Sequence, residues 1–255
     1  MTLGLGVLAT TASDTLTGFA DSHISDTSVQ LNLYGRAKLA EKLRGGAFAG
    51  IGKSWYSFGL HDTGLDLTGK MTGDRYIYGA MLSGDMTIGG VLVTTDAILS
   101  HATEHLGSAT LAAAYRGESR SDIAFGVGNV DTTRISVPVT GQFLLSGNDT
   151  LGGGQTKLLL SPGLLCEDTS VESSSLVCGY QFGAKVNTRL ATSGNAYLDY
   201  KFESVNGQRR NMFGLGYARR FGSSQALEVA LDLNHGTVAA DRADSRAMIR
   251  LRVSR

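Results

Sequence analysis

Strict alternation is the feature that most limits what this chain can fold into. Leu227, Val229, Leu231 and Leu233 fall on every second position, and Glu228, Ala230, Asp232 and Asn234 stand between them. After a polar stretch the pattern returns, with Ile249, Leu251 and Val253 alternating with Arg250 and Arg252. A β-strand sends successive side chains to opposite faces, so a period of two means one apolar and one polar face. The polar face here carries full charges. A sandwich strand turns its apolar side inward to a core and its polar side to water. A transmembrane barrel strand shows the same alternation with lipid outside and a wet lumen within. This hairpin alone fits both.

The rest of the chain separates them. Apolar-alternating segments occur at 2–10, 27–39, 43–56, 74–85, 90–101, 133–145, 156–166, 177–187, 195–203 and 211–221. Most are about the 9–11 residues that a tilted barrel strand needs. With the two strands of the final hairpin they make twelve, an even number, as closure of a single-chain antiparallel barrel requires. The connections alternate in length. Those at 11–26, 61–73, 102–132, 167–176, 204–210 and 235–245 are longer; those at 40–42, 86–89, 146–155, 188–194 and 222–225 are shorter. Outer-membrane barrels segregate short periplasmic turns from longer external loops, whereas a soluble sandwich has no reason to. The expected fold is therefore all-β: one transmembrane antiparallel up-and-down barrel of twelve strands over residues 1–255, both termini on the periplasmic side. Segment 109–128 reads either as a hairpin above the barrel or as part of a large loop folded inward.

Composition agrees. The 34 glycines disfavour long helices but suit tight turns and close backbone contacts, and 42% hydrophobic residues exclude a disordered chain. A formal net charge of zero, without a basic stripe, argues against nucleic-acid binding. No apolar run is long enough for a transmembrane helix. Residues 1–10 lack the basic start of a signal peptide.

The inward parity collects Arg36, Arg44, Arg75, Arg134, Lys157, Lys185, Lys201, Arg220, Arg250 and Arg252, against Asp96, Asp199, Glu228 and Asp232. These line the expected lumen. Two readings stand: a basic lumen that meets a traversing or plugging segment, and a solvated interior whose charges pair with one another. Tyr76, Tyr78, Tyr180, Phe182, Tyr200, Phe202, Phe213 and Tyr217 take the outward parity, where aromatic residues form an interfacial girdle. Cys166 and Cys178 flank one loop and share a parity, so they fit a disulfide in an oxidising envelope or two free thiols. No histidine lies near them, which disfavours a metal site. Ser100, His101, Glu104 and His105 are close in sequence, but no GxSxG or HExxH pattern accompanies them, and His61 and His235 read as loop histidines. Paired glycines such as Gly50 and Gly52 have no helix after them, so no cofactor is expected.

The order TSVQLNLYGRAKL, RGGAFAGIGKSWYSFGL, LTGKMTGDRYIYGAMLSGDMTIGGVLVTTDAILSHATEHL, closing on SRAMIRLRVSR, resembles the C-terminal translocator domains of bacterial autotransporters over nearly the whole chain. The resemblance implies a Gram-negative outer-membrane barrel of type V secretion that anchors and exports an N-terminal passenger, with a helical linker in the lumen. It also implies insertion by the outer-membrane assembly machinery, which reads the last strand. Two departures stand out. The chain ends in Arg255 where the family usually has an aromatic residue, and residues 1–10 resemble an internal strand, so further N-terminal strands are expected in the native protein. No catalytic residue carries over. The alternatives are a passive outer-membrane pore, an outer-membrane barrel hydrolase using Ser100, His101 and His105, and a soluble two-sheet protein.

Overall fold

The computed structural model describes all residues except 16–19, 147–154, 171–174, 191–193, 206, 222–225, 239–241 and 255. Twelve strands follow one another: β1 (Thr2–Thr15), β2 (Ala20–Ala40), β3 (Leu43–Asp62), β4 (Leu65–Ile88), β5 (Val91–Tyr115), β6 (Glu118–Ser146), β7 (Thr156–Ser170), β8 (Val177–Leu190), β9 (Gly194–Val205), β10 (Gln208–Phe221), β11 (Ala226–Val238) and β12 (Arg242–Ser254). Each pairs antiparallel with its sequence neighbour, and β1 pairs with β12 from Thr2↔Ser254 to Asp14↔Arg242, closing the ring. Closure removes every sheet edge, which in hydrocarbon would carry unsatisfied backbone groups. Within the given chain, both edges of the ring are paired with each other.

The alternation places the faces. Leu3, Leu5, Val7, Leu31, Leu33, Ile51, Leu99, Leu198, Leu215, Leu231 and Ile249 all lie exposed on the outer wall. Leu198 is 66% exposed, and a whole girdle of such residues would aggregate in water. The girdle has a clear upper limit. On β4 the outward residues Tyr76, Tyr78, Ala80, Leu82, Met86 and Ile88 are apolar or aromatic, while Asp66, Thr68, Lys70, Thr72 and Asp74 above them on the same face are polar. From Tyr76 to Ile88, at roughly 3.3 Å per residue and a tilt of about 40°, the band rises about 30 Å, enough for a bilayer core.

The predicted long loops at 61–73 and 102–132 are not loops. β3, β4, β5 and β6 run on through them as paired strands, from Gly73↔Ser54 to Asp62↔Leu65 and from His105↔Asn129 to Tyr115↔Glu118. Their turns are two residues each, Thr63–Gly64 and Arg116–Gly117. Arg116 and Gly117 both have positive φ, the backbone that tight hairpins with right-handed twist need, as do Gly89 and Gly90 at the opposite end. Segment 109–128 is thus a hairpin above the belt, and a backbone hydrogen bond from Arg116 N to Gly64 O ties its tip to that of β3–β4. What differs between the two ends is how far the strands overshoot the belt. The connection expected at 222–225, and the middles of those at 11–26, 146–155, 167–176, 188–194 and 235–245, lie outside the described residues.

Inside, aromatic rings lie flat along the wall. Tyr34, Phe48, Phe58 and Tyr197 each face a glycine directly across the ladder: Gly4, Gly79, Gly69 and Gly216. A Cβ on any of these glycines would fall within the facing ring. The missing side chains make room for the rings beside the backbone, so bulky residues occupy the inner wall without crossing the lumen.

Candidate functional site: the lumen

Among the described residues, three groups of interior polar side chains stand out. Near the end with the Glu41–Lys42 and Gly89–Gly90 turns, Arg44 pairs with Asp85, which also accepts from Thr94 Oγ1 (2.9 Å), and Arg36 Nη2 donates to Ser83 Oγ (2.7 Å), itself bonded to Asp96. Across β2–β5, Arg75 Nη1 donates to Ser28 (2.7 Å) and Arg75 Nε to Glu104 Oε2 (3.0 Å), while Tyr56 Oη donates to Glu104 Oε1 (2.7 Å). On β6–β10, Glu203, with only 1% of its side chain exposed, contacts Arg134 and Lys201 Nζ (2.6 Å), with Arg210 at 3.7 Å. Glu167 beside it accepts two bonds from Arg210, at 2.8 and 2.9 Å.

A buried carboxylate is tolerated only when paired, and here each has a cation within reach. Asp232 accepts from Arg250 Nε (2.7 Å) and Nη2 (3.1 Å), a bidentate contact across β11–β12. Lys185 stands opposite Asp199 in the ladder and places Nζ 3.3 Å from the centre of the Tyr197 ring. Lys157 shares the parity of Ser161, which bonds Thr140 across the wall; Arg220 stands opposite Glu228. Arg252 lies opposite Gly4, and its side chain is outside the described residues. The sequence reading missed Tyr56, Asp85, Glu104, Glu167, Glu203 and Arg210. Glu203 could have been found, since it continues the parity of Asp199 and Lys201. Glu104, Glu167 and Arg210 fell in segments read as loops.

Ser100 and Glu104 point inward, whereas His101 and His105 lie on the outer wall beside Tyr78 and Tyr76, at ring separations of 5.3 and 5.6 Å. Neighbours in a strand stand on opposite sides of the wall. Ser100, His101 and His105 are therefore not brought into one hydrolytic cluster. The histidines expected in loops sit in strands, at the upper rim of the apolar band or above it. His101 shares a hydrogen bond with Thr133 (2.9 Å), His105 with Asn129 (2.8 Å) and His235 with Ser245 (2.7 Å), each directly across the ladder. The expected aromatic residues face outward in neighbouring pairs, Tyr180–Phe202 at 5.8 Å and Tyr200–Phe213 at 4.8 Å between ring centres. Cys166 and Cys178 are cross-strand partners on β7 and β8 and are joined by a disulfide. No group of metal-binding side chains occurs among the described residues.

No protein-family model matches the chain, and no curated protein matches it by sequence. Solved structures do match. The transport unit of the autotransporter AIDA-I from Escherichia coli is similar over 100% of this chain and 91% of its own, with a TM-score of 0.76 and 8% identity. The translocator domain of the autotransporter NalP from Neisseria meningitidis is similar over 100% and 88%, with a TM-score of 0.57 and 14% identity. An outer membrane channel from Pseudomonas putida F1 is similar over 99% and 95%, with a TM-score of 0.55 and 12% identity.

Proposed function

With the fold of an autotransporter translocator domain as the premise, we propose that this barrel resides in the bacterial outer membrane and carries an N-terminal passenger polypeptide to the cell surface. One observation supports the reading above others: the whole twelve-stranded ring, from first strand to last, follows the transport unit of AIDA-I. The lumen's chemistry is compatible with it. Its ionic side chains are largely paired with each other, so a passing chain meets a wet, hydrogen-bonding wall with few uncompensated charges to hold it fast. The overshooting strands mark the external end, and the end with both termini, where the strands stop at the belt, faces the periplasm. In the full-length protein the passenger joins through a linker segment in the lumen, and the assembly machinery inserts the barrel from its last strand.

The test is a fusion placing a secretion signal and an epitope-tagged reporter before residue 1, expressed in a Gram-negative host. Protease added to intact cells should remove the tag and leave the barrel whole. A folded barrel whose tag stays in the periplasm would sink the proposal. The likeness to the Pseudomonas putida channel supports a second reading, a passive pore. It expects steady single-channel conductance in a planar bilayer, unchanged by an attached passenger.

A further inference from the structure

The lumen is not uniformly polar. Between the group around Arg36 and Arg44 and the group around Arg75, the inner face of β1–β4 and β12 carries Leu8, Phe48, Ile77, Met81 and Met248, each partly exposed to the interior. They border a cavity of about 470 Å³, with Gln30, Asn32, Tyr34, Arg36 and Arg250 among its polar lining. Gly6 forms part of its floor. A concave, mainly apolar site of this volume with a few convergent polar groups is the usual form of a small-molecule pocket. The wall opposite, on β7–β10, is built instead from the ionic network of Glu167, Lys201, Glu203 and Arg210.

We infer that this cleft binds a neutral amphipathic organic molecule, an aliphatic or aromatic alcohol of about a dozen to twenty heavy atoms. The volume sets the size. The side chains Leu8, Phe48, Ile77, Met81 and Met248 set the apolar body, which gains by leaving water. Gln30, Asn32 and Tyr34 offer both donors and acceptors to a hydroxyl head. The head is neutral because the protein already compensates the charges beside the cleft: Arg250 is held at two points by Asp232, and Arg36 by the Ser83–Asp96 chain. A carboxylate or ammonium would compete with those pairs and lose its hydration. The cleft belongs to the barrel wall, which a translocator and a pore share; a linker in the lumen, as the proposed function has it, would compete with the small molecule there.

Alternation of faces along the strands gives the test its resolution. The full chain, in lipid nanodiscs, is photolabelled with a diazirine-bearing decanol, and the labelled residues are mapped by mass spectrometry. Lipid-facing residues Tyr76, Tyr78 and Leu82 report membrane partitioning; lumen residues Ile77, Met81 and Met248 report the cleft. The inference expects lumen labelling that excess decanol suppresses while labelling at Tyr78 and Leu82 persists. Met81→Gln should reduce lumen labelling. Gly6→Leu should abolish it by filling the cavity; a Cβ there meets only Arg250 Cγ at 3.4 Å and the Ile249 carbonyl oxygen at 3.6 Å, so the barrel should still assemble. Labelling confined to outward residues would overturn the site, as would lumen labelling that decanol does not suppress. Stronger suppression by decanoate or decylamine would overturn the neutral class. Protection by a co-purifying polypeptide would replace the small molecule with a peptide occupant.

Discussion

At the scale of single residues, position in the alternation decides what a substitution costs. Leu231 lies 44% exposed on the outer wall, and its chain neighbours Ala230 and Asp232 are buried on the inner one. Leu231→Arg should destabilise the inserted barrel by about 2–4 kcal/mol if Leu231 lies near the bilayer midplane. Glu228→Gln, on the wet side, should cost far less. Urea titrations of the barrel in lipid vesicles compare the two, and equal effects would reject the assignment of faces. Glu203 makes a second case. With Glu203→Ala, Arg134 and Lys201 lose the carboxylate they share, and because both cations are partly exposed the expected loss is roughly 1–3 kcal/mol in the same titration. Parity was legible from the sequence at both sites, because apolar and charged residues alternate there without interruption. Partnership was not. Which cation meets Glu203 depends on Arg134, 69 residues away, and on Arg210, beyond the next turn. Period-two patterning assigns a face to each residue and says nothing about the height at which two strands meet.

At the scale of strands, register is held by devices that leave little trace in a hydrophobicity pattern. Tyr34 lies over Gly4 and Tyr197 over Gly216, so each pair fixes where its two strands align. Gly216→Ala should slow assembly because the atoms nearest the new Cβ belong to the Tyr197 side chain. Adding Tyr197→Ala should restore the rate, since the obstruction is that ring and not backbone. The rate of appearance of the compact, heat-modifiable band on gels measures both variants, and failure of the second change to rescue the first would refute the pairing. The sequence showed these glycines as one half of an alternating strand but could not show what faces them. The strand ends were the other gap. The stretches at 61–73 and 102–132 are rich in Thr, Ser, Asp and Gly, a composition that signals turns, yet each pairs as strand, because a ribbon above a membrane is held by its backbone ladder and needs no continuous apolar outer face.

At the scale of the whole molecule, the belt and the overshooting strands are separable. The belt is the part that must meet hydrocarbon, where each backbone group needs a partner and each outward side chain must be apolar. Above Tyr76 the outward face of β4 is polar, and the ribbon is stabilised by its ladder, by the buried Ala109 and Leu111, and by the bond between hairpin tips. Replacing residues 111–123 with a two-residue Asn-Gly turn removes the outer part of the β5–β6 hairpin and leaves the paired positions Thr110 and Ala124 to flank the turn. None of the removed residues lies in the belt. The shortened protein should therefore insert in the outer membrane and keep its heat-modifiable form, with a modest loss of stability from the missing apolar contacts of Leu111. Membrane fractionation and gel mobility of the two forms provide the measurement. Failure to insert would mean that the ribbon takes part in assembly itself, and that the boundary drawn at Tyr76 between membrane wall and external extension is misplaced.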